Sequence, residues 1–428
     1  MYLIYSALLA LGLVAATPFW LLEMVRHGKY RKGLLQRLGK VPPSLRNSGA
    51  PSIWIHAVSV GEVLAVGELV QKLRGEFPRH QVLISTTTDT GQELAAKRFG
   101  ADNVFYFPLD FASIMRRYCA AIRPELVVVA ETEFWPNFLR AAKQSGAHIA
   151  VVNARISDRS LPGYQRWRGL LRPVLNNVAA FLAQSPEDAR RLVAIGAAEE
   201  RVFVSGNLKY DFALPPPPQI LAPLKAALSQ SGARPVLVCG STLNGEEALL
   251  VEVFRQVLVQ FPDAVMLLAP RHPERFGQVA SLLQESGMKF TLRTQWSNSQ
   301  LNGSILLIDS IGELANLYAL ADLAIVGGSF VQAGGHNILE PAQQGVPIVV
   351  GPHTENFRDI ISLFRANDAV RVSDSNNLAK TVISLLKSDP ERHALGLRAR
   401  QTLQSQQGAT ALAMQHLRRL LRAEAYSE

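Results

Sequence analysis

The 428-residue chain has only two cysteines, Cys119 and Cys239, far apart in sequence. They suggest neither a disulfide framework nor a cysteine metal site, and they fit a reducing compartment. An Asp-x-Asp sequence is missing, so the acidic pair that commonly holds a metal–diphosphate complex is not available. Acidic residues are in deficit, with 35 against 44 basic ones and a net charge of +9. That balance favours anionic partners such as a membrane surface, nucleic acid or a phosphorylated substrate, without choosing among them. No short internal repeat is present.

Charge is absent from the side chains of Met1 to Leu22. As a helix this run would be ~33 Å long, enough to cross a bilayer core. Its Leu, Ile, Phe and Val residues each favour insertion by ~0.3–0.6 kcal/mol at the membrane centre. Six basic residues follow (Arg26, Lys29, Arg31, Lys32, Arg37 and Lys40), with no acid between Met24 and Lys40. Positive flanks stay cytoplasmic, so the expectation is a membrane anchor over 1–22, a basic juxtamembrane segment over 23–50 and a protein facing the cytoplasm. Two other readings compete. A cleaved signal peptide would carry its charge before the apolar run, not after it. An interfacial helix, bent at Pro18, would lie in the headgroup plane.

From Ser52 onward, short β-branched runs alternate with helical stretches. Seven candidate strands begin at Ser52, Val82, Val104, Leu126, His148, Ala179 and Arg201. The run Pro215 to Pro218 interrupts the pattern and reads as a stiff linker. Six more candidates begin at Val236, Ala264, Ser304, Leu323, Val346 and Ala369. Apolar strands with intervening helices imply parallel sheets covered on both faces. The expected fold class is α/β, with two doubly wound, Rossmann-like domains facing a cleft. The boundaries expected are 51–212 for the first domain, 213–233 for the linker and 234–428 for the second domain with its terminal helices.

Ligands of such sheets bind beyond the carboxyl ends of the strands. That rule selects His56, Glu62, Thr86, Asp110, Glu131 and Asn153 in the first half, and Ser241, Arg271, Asp309, Gly327 and Gly351 in the second. Each has a plainer reading. Ser59-Val60-Gly61-Glu62 fits a helix capping box. Glu131 and Glu133 suit a helix amino terminus. Lys209 fits a solvated surface, and Arg271 a loop salt bridge. A metal site at His272 and Glu274 lacks a third partner.

The stretch Gly327 to Ala342, GGSFVQAGGHNILEPA, follows an apolar strand and leads into a helix expected from Asn337. Glycines there let backbone N–H groups close on an anion, which the helix dipole favours. Pro341 falls in the first turn, and Glu340 comes within reach of a nucleotide's ribose hydroxyls. The same loop serves equally well as a tight structural turn.

Nine segments taken together carry a resemblance. They are SVGE ending at Glu62, ETEFWPN from Glu131, NARIS from Asn153, GNLKYD from Gly206, GST at Gly240, PRHPERF from Pro270, IGEL from Ile311, GGHNILEPA from Gly334 and GPHTENF from Gly351. In this order, nearly end to end, the chain resembles the 3-deoxy-D-manno-octulosonic acid (Kdo) transferases of lipid A biosynthesis, glycosyltransferase family 30. The resemblance implies a two-domain GT-B fold and transfer of Kdo from CMP-Kdo onto the lipid A precursor lipid IVA, with inversion, at the cytoplasmic face of the bacterial inner membrane. It implies Glu62 as general base, with Glu131 and Lys209 stabilising the transition state. Pro270, Arg271, Ile311, Gly312, Glu313, Asn337, Ile338, Leu339 and Glu340 match the CMP-binding segments. Ile338 stands where the family often has a small residue or proline. No cofactor, no metal and no nucleic-acid partner are expected. A carboxylate of ordinary pKa, near ~4.3, would already be ionised at neutral pH and able to take the acceptor's proton. The alternative is another membrane-associated GT-B enzyme, such as a lipid A disaccharide synthase.

Overall fold

The structure, a computed structural model, describes residues 1–27, 32–46 and 49–422. Lys29 and Arg31 of the basic stretch lie outside the described residues. The chain forms two compact units. One is Met1–Phe212 with the segment from Gln406 onward, and the other is Ala213–Ser405.

The first unit is built on β1 (Ser52–His56), β2 (Gln81–Thr86), β3 (Val104–Tyr106), β4 (Pro124–Ala130), β5 (His148–Ala154), β6 (Ala180–Ala183) and β7 (Val202–Val204). All its pairings are parallel, in the order β3-β2-β1-β4-β5-β6-β7. Alternate residues of β1 face opposite sides. Trp54 packs with Phe105, Val127 and Phe138 on one face. Ile53 and Ile55 pack with Leu69, Ile84 and Val128 on the other. Both faces are covered, so β1 is apolar throughout. Strand order reverses between β1 and β4, and a topological switch point of this kind opens a crevice at the strand ends.

The second unit has β8 (Val236–Thr242), β9 (Val265–Pro270), β10 (Phe290–Leu292), β11 (Ser304–Leu307), β12 (Leu323–Val326), β13 (Ile348–Val350) and β14 (Arg371–Val372). They are again parallel, in the order β10-β11-β9-β8-β12-β13-β14, with the reversal between β8 and β12. The edge strand β10 is the one the sequence pattern does not predict. It is three residues long and half-buried throughout, so it lacks the continuous apolar run that marks the inner strands.

Two expected boundaries shift. Helix Leu221–Ser231 lies within the expected linker, yet Leu224 and Leu228 are buried against Val236 and Val238 of the second unit. Helix Ala409–Arg422 was expected in the second domain. It instead buries Ala409, Ala413, Met414 and Leu417 on the Ile53–Ile55 face of the first unit. The Asp211 carboxylate fixes this return by accepting the backbone N–H groups of Gly408 and Thr410.

Helix Tyr2–His27 runs unbroken past Pro18 and presents Leu3, Ile4, Leu8, Leu11, Val14, Phe19 and Leu22 to the outside. Over Tyr2–Met24 it is apolar enough to cross a membrane, with a mean hydropathy of 1.8. Its first turn, however, is tied to the first unit. Asn137 Nδ2 donates to Ser6 Oγ at 3.0 Å, Asn177 Nδ2 donates to the Tyr2 hydroxyl at 3.3 Å, and Tyr5 bonds to Asp110. Just beyond the helix, Lys32 pairs with Glu93 of the same unit. The amino-terminal end of the helix is therefore held to the first unit, whereas a spanning helix would place its first turn across a bilayer core ~30 Å thick. These contacts suit the interfacial reading of the helix.

Candidate active site

The first-unit candidates gather at the switch point. Glu62 is in the first turn of helix Val60–Ala65, capped by Ser59. The Val58 N–H donates to Glu62 Oε2 at 2.8 Å, and the Ser59 hydroxyl donates to Oε1 at 2.9 Å. The capping geometry is therefore present, and Glu62 is only 8% exposed. Burial pushes its pKa up to about 7, against the pull of those two donors, and the charges of Glu131 and Glu133 add to the rise. This corrects the expectation of an ordinary carboxylate: near neutral pH Glu62 is only partly ionised.

Glu131 follows β4 with φ 58°, a left-handed conformation unfavourable for a side chain of this kind. Its N–H is held by the Val152 carbonyl at 2.9 Å, and its carboxylate lies 3.5 Å from Lys209 Nζ. Lys209 sits in the turn Leu208–Tyr210 beyond β7. Asn153, at φ 55°, accepts the Leu208 N–H on Oδ1 at 3.0 Å and so locates that turn. Glu133 accepts from Trp135 Nε1 at 2.8 Å, and burial raises its pKa. Three carboxylates and one ammonium thus share the ends of β1, β4 and β7.

His56, Thr86 and Asp110 are occupied elsewhere. His56 is fully buried and stacked on Phe107 at 3.9 Å, with its pKa driven down to about 3 by burial. Thr86 donates to Gln92. Asp110 caps helix Pro136–Gln144 by accepting the N–H groups of Asn137 and Phe138.

In the second unit the glycine-rich loop is not an open anion cradle. The Glu246 carboxylate, from the start of helix Glu246–Gln260, fills it. Oε2 accepts from Gly328 N at 2.7 Å and Leu243 N at 2.8 Å, and Oε1 accepts from Ser329 N at 3.1 Å and Phe330 N at 2.9 Å. Gly327 must be glycine, because a Cβ there would lie 2.7 Å from the Ser241 carbonyl oxygen. The helix expected from Asn337 begins at Leu339 and ends at Gln343, too short for much of a dipole. Asn337 Oδ1 accepts the Leu339 N–H at 3.1 Å, and Ile338 is buried beneath it.

The remaining second-unit candidates divide between backbone and side-chain roles. Pro270 ends β9 beside Thr242, and Arg271 is exposed just beyond it. Burial raises the Glu340 pKa, against the pull of the Asn337 side chain and of the Arg271 charge. Ile311 is exposed and Gly312 adopts φ 91°. The Glu313 carboxylate is taken up by Arg293 and Ser310, which leaves the backbone as what this segment can offer a ligand. Asp309 accepts from Thr294. Gly351 packs on Ser329, and Ser241 bends the end of β8 at φ 58°. Sequence reasoning passed over His336. Burial and the charges of Arg271 and His272 lower its pKa to about 4, which places it with the basic group at this end of the sheet. Its place inside GGHNILEPA was the available signal. Among the described residues, no group of three potential metal ligands is found.

Comparisons with known proteins identify the family and the fold. Residues 32–212 match the family model for 3-deoxy-D-manno-octulosonic-acid transferase, and residues 247–402 match glycosyl transferases group 1. A 3-deoxy-D-manno-octulosonic acid transferase of Haemophilus influenzae is 34% identical over 95% of each chain. One from Bordetella pertussis is 36% identical over 93% of this chain and 95% of its own. At the level of fold, a UDP-GlcNAc 2-epimerase of Neisseria meningitidis aligns with a TM-score of 0.52 at 11% identity, over 86% of this chain and 99% of that one. With two parallel-sheet units of the GT-B kind and relatives matched along almost their whole length, the chain belongs to the 3-deoxy-D-manno-octulosonic acid transferase family of glycosyltransferases.

Proposed function

We propose that the protein transfers Kdo from CMP-Kdo to the lipid A precursor lipid IVA in lipopolysaccharide core synthesis, with inversion at the anomeric carbon and with Glu62 as general base. The observation that carries the choice of base is the buried Glu62 carboxylate at the β1–β4 switch point, with its pKa near 7. As the acceptor hydroxyl attacks the anomeric carbon, its proton passes to Glu62. The bond from that carbon to the phosphate oxygen breaks, and its electron pair leaves with CMP. A base whose pKa lies near the working pH combines an available ionised form with a useful proton affinity. Lys209, held beside Glu131, supplies a fixed positive charge near the reacting groups.

The donor's cytidine and phosphate are assigned to the second unit, at Pro270, Arg271, the backbone of Ile311 and Gly312, and the Asn337–Glu340 segment. Arg271 faces the charge that grows on the departing phosphate. A single phosphate makes less demand for a divalent cation than a diphosphate, so transfer should survive EDTA. We place the protein at the inner membrane, with the outer face of helix Tyr2–His27 in the lipid and the catalytic units in the cytoplasm. The test is to incubate the purified full chain with CMP-Kdo and lipid IVA, with and without EDTA, and weigh the products. Appearance of a Kdo-bearing lipid supports the reading. Transfer from a UDP-sugar but not from CMP-Kdo overturns it.

A further inference from the structure

At the foot of helix Tyr2–His27 the first unit holds a cavity of about 340 Å³, far from Glu62 in sequence and lined by none of the catalytic candidates. Its walls include Tyr2, Ser6, Arg116, Asn137, Arg140 and Gln144. Helix Ala112–Ile122 contributes Arg116, and helix Pro136–Gln144 contributes Arg140. The Arg116 guanidinium has no hydrogen bond or ion pair among the described residues. Arg140 lies over the Tyr2 ring at 4.4 Å and has no carboxylate partner among the described residues. Two uncompensated guanidinium groups at one cavity form a site for an anion, and the guanidinium fork suits phosphate oxygens in particular. The Asp110 carboxylate, which bonds to Asn137, is committed to capping Asn137 and Phe138 and to Tyr5.

Two further observations narrow the ligand. Asn137 is 2% exposed and its Oδ1 has no hydrogen-bond partner, while its Nδ2 is committed to Ser6 Oγ and the Asp110 carbonyl. A buried acceptor without a donor is unfavourable, so the site lacks a donor group that a ligand can bring. The cavity also opens beside apolar surface. Leu3 lines it and is 87% exposed, and Ile4, Leu8 and Leu11 continue along the same helix. A soluble anion would gain nothing from that surface, whereas an acyl chain would.

We propose that this cavity binds the headgroup of a membrane phospholipid. The phosphodiester lies between Arg116 and Arg140, a headgroup hydroxyl or ammonium donates to Asn137 Oδ1, and the acyl chains run along the outer face of helix Tyr2–His27. The site would set the depth and tilt of the first unit on the membrane. It rests on the membrane placement proposed above, but not on the donor or on Glu62.

The experiment uses the full chain in nonionic detergent, titrated with dihexanoyl phosphatidylglycerol and followed by calorimetry. Saturable binding is expected, weakened roughly tenfold or more by Arg116→Ala with Arg140→Ala. Ala112→Phe, which fills the cavity without touching either charge, should weaken binding comparably. Both variants should bind CMP as the parent does, which shows that the chain is folded independently of any transfer assay. Dihexanoylglycerol, which lacks the phosphate, should not bind, and glycerol 3-phosphate should compete only at much higher concentration. Equal binding of phosphatidylglycerol by parent and both variants overturns the site. Equal competition by glycerol 3-phosphate or inorganic phosphate overturns the lipid and leaves a soluble anion.

Discussion

Gly328 donates its backbone N–H to the Glu246 carboxylate at 2.7 Å, and the N–H groups of Leu243, Ser329 and Phe330 converge on the same side chain. The protein thus supplies its own anion to the loop that looked ready for a ligand's. Glu246 is fully buried, so its role is to fix the loop that ends in Asn337 and Glu340.

Glu246→Ala should therefore strip several buried amides of their acceptor, at about 1–3 kcal/mol each. That is a large part of a domain's usual stability margin. Glu246→Gln keeps one acceptor oxygen but turns an NH2 toward N–H donors, and should cost about 1–3 kcal/mol. Urea unfolding of the full chain measures both. CMP affinity should fall with stability, and an unchanged unfolding midpoint in the alanine variant would refute the account.

Glu62 makes a prediction in pH. Its folded pKa of about 7 lies above its ordinary 4.5, so it is the ionised form that folding disfavours. The stability linked to this group is complete at acid pH and is lost as pH rises from about 4.5 to about 7. Glu62→Gln should remove that loss, which is of the order of 3 kcal/mol above neutrality. Asp110 also has a pKa raised to about 7, so the comparison must be made between variant and parent across pH. In the parent, kcat/KM should rise with pH through about 7. In the variant, transfer should drop by ~100-fold or more and that rise should vanish. A variant with near-normal turnover would leave capping as Glu62's only role.

Lys209 and Glu131 separate stability from catalysis. Their 3.5 Å pair is about one-third exposed on each side, so Lys209→Ala should change stability by no more than ~1 kcal/mol. Its kcat should nevertheless fall by ~10–1000-fold with CMP affinity kept. Glu131→Gly relieves the φ 58° conformation and should melt no lower than the parent, while losing transfer. If both variants kept full activity, the pair would be merely structural.

Much of this was legible in the sequence because burial on both sheet faces writes continuous apolar runs, as in Ile53–Trp54–Ile55 and Leu323 to Val326. The strand ends then selected Glu62 and Glu131, whereas Lys209 read as a surface lysine until the resemblance carried by GNLKYD pointed to it. What stayed hidden depends on which groups meet. Glu246 reads as an ordinary acid in a helix's first turn, Glu313 as a ligand-facing carboxylate, and helix Ala409–Arg422 as part of the nearest domain, because nothing local names a partner. The raised pKa of Glu62 follows from burial, which spacing does not encode.

The last prediction concerns the amino-terminal helix. Tyr2, Tyr5 and Ser6 are bonded to Asn177, Asp110 and Asn137, while Lys32 bonds to Glu93 of the same unit. With its first turn held on the same unit that Lys32 joins, the helix should lie in the membrane plane with Leu3, Leu8, Leu11 and Phe19 in the lipid. A tag fused ahead of Met1 should then be digested from the cytoplasmic side of sealed inner-membrane vesicles, along with the catalytic units. A tag reached only from the periplasmic side would restore the spanning anchor. Deleting residues 1–22 should leave a folded chain, because the first strand begins at Ser52. That chain should be less stable by about 1–3 kcal/mol, since Asn137 and Asp110 lose their helix partners. It should still process a detergent-dispersed acceptor but act more slowly on acceptor embedded in vesicles. Residual binding to anionic vesicles through Arg26, Lys32, Arg37 and Lys40 should weaken as salt is added. Undiminished activity on embedded acceptor would show that the helix does not hold the enzyme to its substrate.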